Sequence, residues 1–437
     1  MTRLILIALA GLAIGGAARA QDMPGMPDHE MAGSHSPSMP GMDMDEHHMG
    51  AMTGALGPYP MTREASGTSW QPDAGEHGGL HVMDGPWTFM AHGALYGVFS
   101  TQSGPRGDDK SFAAGMLMAA ARRDLPGGDS LNLRAMLSPD PLMGRRGYPL
   151  LLATGETADG VTPLVDRQHP HDLFMELSAS YAHRLSATDS VFVYAGLPGE
   201  PAFGPPAFMH RQSIMDSPEA PITHHWLDST HITFGVVTVG FIHGDWKIEA
   251  SRFHGREPDE NRYDIETGAL DSTSVRLSWN PDRHWALQAS WARLKSPEQL
   301  EPGVDQTRWS ASAIYTRPLG SHGWWSSTIA WGRRRSEHQD LDALALETAV
   351  KPGGDWTIFA RAEWTRNNEL TFAGGEHGPA FDVGKVSVGA VHDWRVADHL
   401  LFGVGGLYAL DFAPSALEEA YGGDPRGAMA FVRLKID

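Results

Sequence analysis

From about Trp87 onward, apolar and polar residues alternate with period two in segments of roughly ten residues, each closed by a turn. Around Asn280-Pro281-Asp282, Val275, Leu277 and Trp279 fall on one face and Ser274, Arg276 and Ser278 on the other. Past that turn, Trp285, Leu287, Ala289 and Trp291 oppose Gln288, Ser290 and Ala292. The next segment sets Trp309, Ala311, Ala313 and Tyr315 against Arg308, Ser310 and Ser312, and Trp356, Ile358, Ala360, Ala362 and Trp364 oppose Thr357, Arg361 and Glu363. Strict period two requires a sheet with two unlike faces.

Aromatic placement says which solvent the apolar face meets. Trp285 and Trp291, Trp309 and Tyr315, Trp325 and Trp331, and Trp356 and Trp364 each bracket a short run of small or aliphatic residues. Two interfacial girdles leave this trace along a membrane-spanning strand, whereas a soluble sandwich would keep its tryptophans mid-strand in the core. Strands are predicted near 87–99, 111–123, 129–137, 171–184, 189–197, 230–243, 245–254, 271–280, 284–294, 307–317, 322–334, 341–351, 355–366, 384–395, 398–410 and 427–436. Short links alternate with longer polar ones, the mark of short periplasmic turns and long extracellular loops. The expected fold is therefore all-β: a transmembrane antiparallel barrel of about 16 strands (14–16), with both termini periplasmic. The closing stretch Phe431 to Asp437 keeps the alternation but lacks the terminal aromatic common in such barrels.

The segments ahead of the barrel are of another kind. Residues 1–20 read as a signal peptide: Arg3, an apolar stretch Leu4 to Ile14, and the small-x-small site Ala18-Arg19-Ala20. Residues 21–62 are expected to be a disordered periplasmic segment, and 63–86 a lead-in to the barrel at 87–437. Gly and Pro interrupt 21–62 too often for any apolar period, yet methionine fills 8 of the 40 positions from 21 to 60. Met23, Met26, Met31, Met39, Met42, Met44, Met49 and Met52 alternate with His29, His35, His47 and His48, and no Lys or Arg intervenes. Thioethers select soft cations and need no deprotonation, so this set is a candidate ligand for Cu(I) or Ag(I) as bound cargo; no cofactor is expected.

Composition agrees. The chain has no Cys, so neither disulfide nor thiolate site can form, and metal ligands must come from Met, His, Asp and Glu. The formal net charge of −19 argues against a nucleic-acid partner and favours cations. Expected partners are outer-membrane lipid, metal ions and periplasmic copper carriers or oxidases.

Two long loops, Ser138 to Pro170 and Pro198 to Ser229, are too long and too apolar to be floppy, and loops of this kind fold inward in wide barrels. They and the adjoining residues carry His169, His171, Asp172, His210, His224, His225, Asp228 and His231, a secondary set of metal or constriction candidates. For any single histidine the plainer role is to hydrogen-bond loop backbone to barrel wall. Arg276, Arg293, Arg308 and Arg361, with Glu249 and Glu363, read as an electrostatic ladder lining a pore, and Arg333-Arg334-Arg335 as a solvated extracellular strand end. No Gly-x-Ser-x-Gly elbow, phosphate loop or His-Glu-x-x-His is present, so no catalytic residue is assigned.

The Met-Pro-Gly-Met units at 23–26 and 39–42, His29-Glu30-Met31 and Met42-Asp43-Met44-Asp45-Glu46-His47-His48-Met49, placed ahead of a barrel, resemble the outer-membrane copper resistance protein B architecture. That resemblance implies an outer-membrane barrel that helps detoxify periplasmic copper. It covers about the first tenth of the mature chain. The barrel itself looks like a group of outer-membrane proteins accompanying metal-resistance systems, through Gly67-Thr68-Ser69-Trp70-Gln71-Pro72-Asp73, Ser138-Pro139-Asp140-Pro141 and Asp166 to Asp172. The expected function is copper or silver handling at the Gram-negative outer membrane. The alternatives are a general or solute-specific porin with an incidental tail, and a lipase-like barrel hydrolase.

Overall fold

The computed structural model describes residues 52–76, 78–337, 339–371 and 378–436. Its strands are β1 (Leu80–Asp84), β2 (Trp87–Gln102), β3 (Asp109–Asp124), β4 (Ser130–Leu137), β5 (Tyr148–Thr157), β6 (Pro163–Gln168), β7 (Phe174–Arg184), β8 (Asp189–Gly196), β9 (Val236–His243) and β10 (Trp246–Phe253). They continue with β11 (Ser272–Trp279), β12 (Trp285–Leu294), β13 (Gln306–Pro318), β14 (Trp324–Arg335), β15 (Asp340–Lys351), β16 (Trp356–Asn367), β17 (Phe381–Ala397), β18 (Leu400–Phe412) and β19 (Arg426–Ile436).

Seventeen of these, all but β5 and β6, form one antiparallel sheet, in which β1 pairs with the start of β2 and the other sixteen follow chain order. The sheet closes when β19 pairs with β2, from Gly93↔Ile436 to Gln102↔Gly427. Closure removes the sheet edges, so every strand finds a ladder partner inside the bilayer. The sixteen expected segments correspond one to one with those sixteen strands. The segment expected over 230–243 begins only at Val236, because Ser229–His231 is a 3-10 turn and Ile232 and Phe234 turn into a buried apolar cluster. The hairpin β5–β6, paired through Tyr148↔Gln168, was not anticipated within its loop.

Alternation sorts side chains as expected. Outward residues such as Val239 (57% exposed), Ile248 (52%) and Ile329 (51%) form an apolar belt that only lipid can cover. An aromatic girdle lies at the periplasmic ends, where Trp246 stacks on Trp279 at 4.8 Å and Tyr315 touches Trp285 and Trp325 at 4.8 and 5.5 Å.

The inward face is polar but dry: Arg276 and Arg361 are 1% exposed, and Glu347 and Lys385 are 0% exposed. Chain folded into the lumen covers them. Residues 52–76 enter first, with Leu56, Tyr59 and Trp70 buried against Ala182, Phe192 and Ile242. Residues 52–62, expected to close the flexible segment, are thus packed inside the barrel. Thr68 donates to Glu249 at 2.5 Å, and Asn280 donates to Gln71 O at 2.9 Å. The β4–β7 connection brings the β5–β6 hairpin inward, where Leu150, Leu151 and Leu152 pack with Phe112, Ile214 and Ile222. The β8–β9 connection crosses to the opposite wall, where Arg211 grips Glu347 at 2.7 Å and Glu219 meets Lys385 at 2.8 Å.

The ladder therefore clamps a plug, with two further corrections. Arg293 points outward and pairs with Asp305, because β12 turns Ala292 and Leu294 inward at that level. Arg334 is not solvated: it is 5% exposed, lies over the Trp226 ring at 4.2 Å and bonds Glu369 at 3.1 Å.

Candidate functional site

The two inward connections bring five sequence-distant imidazoles together. His169 and His171 come from the β4–β7 connection; His224, His225 and His231 come from the β8–β9 connection, at and just after the short helix His224–Leu227. All five are buried. Ring centroids lie 5.1 Å apart for His171–His231, 5.2 Å for His224–His231, 5.4 Å for His224–His225 and 5.5 Å for His169–His225. The helix is held by Trp226, whose indole N–H donates to Leu341 O at 3.1 Å, and by close approach to Gly332 of β14. Gly155 makes room for His225: at φ +110°, a Cβ there would sit 2.3 Å from the imidazole.

Each ring has one nitrogen fixed from behind. His171 Nδ1 meets Asp140 Oδ2 at 2.8 Å, His224 Nδ1 meets Asp228 Oδ1 at 2.8 Å, and His231 Nδ1 meets Asp228 O at 2.7 Å. His169 Nδ1 lies 3.3 Å from Glu156, and His225 Nδ1 lies 3.6 Å from Glu257. The opposite nitrogen, Nε2, of His169, His171, His225 and His231 is buried without a hydrogen-bond partner. No serine hydroxyl is bonded to those atoms, as a hydrolytic triad would need. Asp228 serves three groups at once, since its Oδ2 also takes Arg211 at 2.6 Å.

For three of the five rings burial favours the neutral form. Burial holds His169, His224 and His231 below the usual histidine range. For His225 burial also pulls downward, but Glu257 beside it raises it on balance. Burial lifts the Asp172 carboxyl to about 7 against the pull of Arg262, 3.3 Å away. Among the described residues, only Asp259, Asp264 and Glu266 of the β10–β11 loop already hold three ligand atoms within 4.8 Å of one another. The imidazole nitrogens do not reach that spacing as they stand.

A second region lies in the periplasmic half. A cavity of about 130 Å³ is lined by Met61, Met90, Met116, Met118, Met209 and Met215, with His92 and His210 among its other walls. Barrel register sets one wall, where His92 faces Met118, and the same inward row continues past the cavity through Met136 to Glu176. Residues directly opposite on one face have Cβ atoms about 4.5–5.5 Å apart. Loop residues Met209 and His210 close the row, with the His210 ring 5.7 Å from His92.

The expected secondary set thus divides. His169, His171, His224, His225 and His231 come together, Asp228 orients two of them, Asp172 pairs with Arg262, and His210 joins the methionine cavity instead. In the tail, Met52 accepts from the Met61 amide at 2.8 Å. Met23, Met26, His29, Met31, His35, Met39, Met42, Met44, His47, His48 and Met49 lie outside the described residues. Sequence reading missed Asp140, Glu156, Glu257 and the lumen methionines. Met116 and Met118 share the inward face of β3 with Phe112, Ala114 and Ala120, so alternation alone did not mark them out.

No family model matches the chain, and no curated protein sequence does. Among solved structures, OmpF of Salmonella typhi in complex with daunomycin superposes with a TM-score of 0.53 at 9% identity, covering 82% of this chain and 100% of that one. An anion-selective porin from Comamonas acidovorans gives 0.45 at 10% identity, covering 80% and 99%. A loop-deletion form of OmpT, an outer membrane protein of Vibrio cholerae, gives 0.47 at 9% identity, covering 80% and 99%. The OmpF likeness agrees with the fold: a closed antiparallel β-barrel of sixteen strands. The lipid-facing belt agrees with an outer-membrane location.

Proposed function

We propose that this protein handles soft metal cations at the outer membrane. In this reading Met23 to Met52 capture Cu(I) or Ag(I) in the periplasm, and the methionine-lined cavity takes the ion inside the barrel. The observation that carries it is that six methionines and two histidines line one lumen cavity. Methionine fills gaps in many cores, but an inward barrel face ordinarily carries polar side chains, and thioether with imidazole is the donor set a soft cation selects. The acidic chain raises the local cation concentration. Export or sequestration follows, and copper carriers or oxidases of the periplasm are the partners this role implies. The resemblance to copper resistance protein B points the same way.

The test is metal tolerance in a null strain carrying the full-length chain. Replacing the eight tail methionines by Leu, or Met116, Met118 and Met209 by Leu, is expected to lower copper and silver tolerance in each case. Wild-type tolerance in both variants would overturn the proposal. The porin alternative draws on the fold likeness to OmpF. It requires displacement of the plug, and metal-independent uptake of a small solute by the unmodified protein would favour it.

A further inference from the structure

We propose that His171, His224 and His231 form a binding site for a divalent transition-metal ion that fastens the two inward-folded connections to each other. This goes beyond the soft-cation reading and does not depend on it: the donors are imidazoles, the region is the other half of the lumen, and the preferred ions are Zn(II) and its borderline neighbours.

Three observations carry it. The first is spacing. Two imidazoles bound through Nε2 to one ion, with metal–nitrogen distances of about 2.0–2.1 Å at a tetrahedral angle, place their ring centroids roughly 5 Å apart. His231 stands 5.1 Å from His171 and 5.2 Å from His224, while His171 and His224 are 6.4 Å apart. The three rings are at ligand spacing pairwise through His231, but their nitrogens do not all lie within 4.8 Å of one another, so the two connections would draw together around the ion.

The second is the orienting shell. A ligating histidine usually gives its other nitrogen to a carboxylate or carbonyl, which fixes its tautomer and direction. Here Asp140, the Asp228 carboxylate and the Asp228 carbonyl hold the three Nδ1 atoms at 2.8, 2.8 and 2.7 Å. The third is that Nε2 of His171 and of His231 is buried with no hydrogen-bond partner, in side chains 94–95% buried (6% and 5% exposed). A buried polar nitrogen left unpaired is destabilising, and a bound ion would relieve that. His171 belongs to one connection and the other two to the second, so an ion there cross-links the plug.

The experiment is Co(II) titration of the full-length protein in detergent after chelator treatment. One equivalent is expected to give a visible d–d band that Zn(II) displaces, and Zn(II) is expected to raise the thermal transition. The double variant His171→Gln, His231→Gln should lose that equivalent and the Zn(II)-dependent rise, while Met116→Leu with Met118→Leu keeps both. A band of equal stoichiometry in the histidine variant would overturn the proposal. Should that variant fail to fold, X-ray absorption on a chain with His29, His35, His47 and His48 changed to Gln decides. Three imidazoles around Co(II) are expected, and two or fewer would overturn it. Because the tolerance test reads methionines and this one reads histidines, either idea can fail alone.

Discussion

The two halves of the lumen differ in how they are made. The periplasmic half is lined largely by barrel strands, so the register of β2, β3 and β4 fixes its methionine row. The extracellular half is lined by loop residues, and its five imidazoles meet only because two connections fold inward and dock on wall charges. The first is soft in donor character, and half its methionines are strand-built, with Met61, Met209 and Met215 added by the lead-in and the β8–β9 connection. The other is assembled, with imidazole and carboxylate chemistry, and depends on ion pairs for its existence. Donor chemistry alone therefore does not set robustness; the supporting element does.

Breaking the assembled half should have the largest effect. Arg211 is 1% exposed and bonds both Asp228 and Glu347, themselves 4% and 0% exposed. Arg211→Ala leaves two buried carboxylates uncompensated, a loss on the order of 3–5 kcal/mol. We expect a lower thermal transition by heat-shift electrophoresis, a rise in planar-bilayer conductance as the plug loosens, and weaker Ag(I) binding, because Met209, His210 and Met215 sit on the same connection. Unchanged conductance would mean that the lumen stays closed without this clamp.

Gly155→Ala is next. The new Cβ would meet the His225 ring at 2.3 Å in a backbone region that side chains avoid, a cost of roughly 1–3 kcal/mol. It should disturb the imidazole half and leave the methionine cavity intact. Met116→Leu, by contrast, keeps the volume and should cost under about 1.5 kcal/mol. A larger loss would indicate that this methionine serves packing beyond what its volume explains.

The smallest effect is a pH dependence at the junction of plug and lead-in. Burial lifts the Glu200 carboxyl to about 7, against Arg276 at 3.8 Å. Its folded value lies above its unfolded one, so the folded state favours the protonated acid. The contribution is full below the ordinary glutamate range and is lost as pH rises through about 7. Glu200→Gln should flatten the fall in thermal transition across that window. An unchanged slope would remove Glu200 as its source.

Most of the barrel was legible because period-two alternation and turn residues are local signals. Val275, Leu277 and Trp279 announce a lipid face within one strand, and Pro281-Asp282 marks its end. The plug was less legible because its reasons are distant. Leu150 to Leu152 look like any apolar loop until Phe112 and Ile222 are seen beside them. The histidines stood out by type, but His210 parted from the others because it faces His92, and only barrel register puts that residue there. Arg293 misled because it was placed in the lumen by its charge, although alternation puts it on the face of Trp285 and Trp291, opposite Ser290 and Ala292. The quoted motifs turned out to be docking devices: Thr68 on Glu249, Asp140 behind His171, and Asp166 beneath Arg106 and Tyr421.

The most direct measurement is calorimetric Ag(I) titration of the full-length protein with Met23, Met26, Met31, Met39, Met42, Met44, Met49 and Met52 replaced by Leu. The account predicts that at least one Ag(I) remains bound and that adding Met116→Leu, Met118→Leu and Met209→Leu abolishes it. Complete loss of Ag(I) binding on changing the tail alone, or binding indifferent to the lumen substitutions, would contradict it.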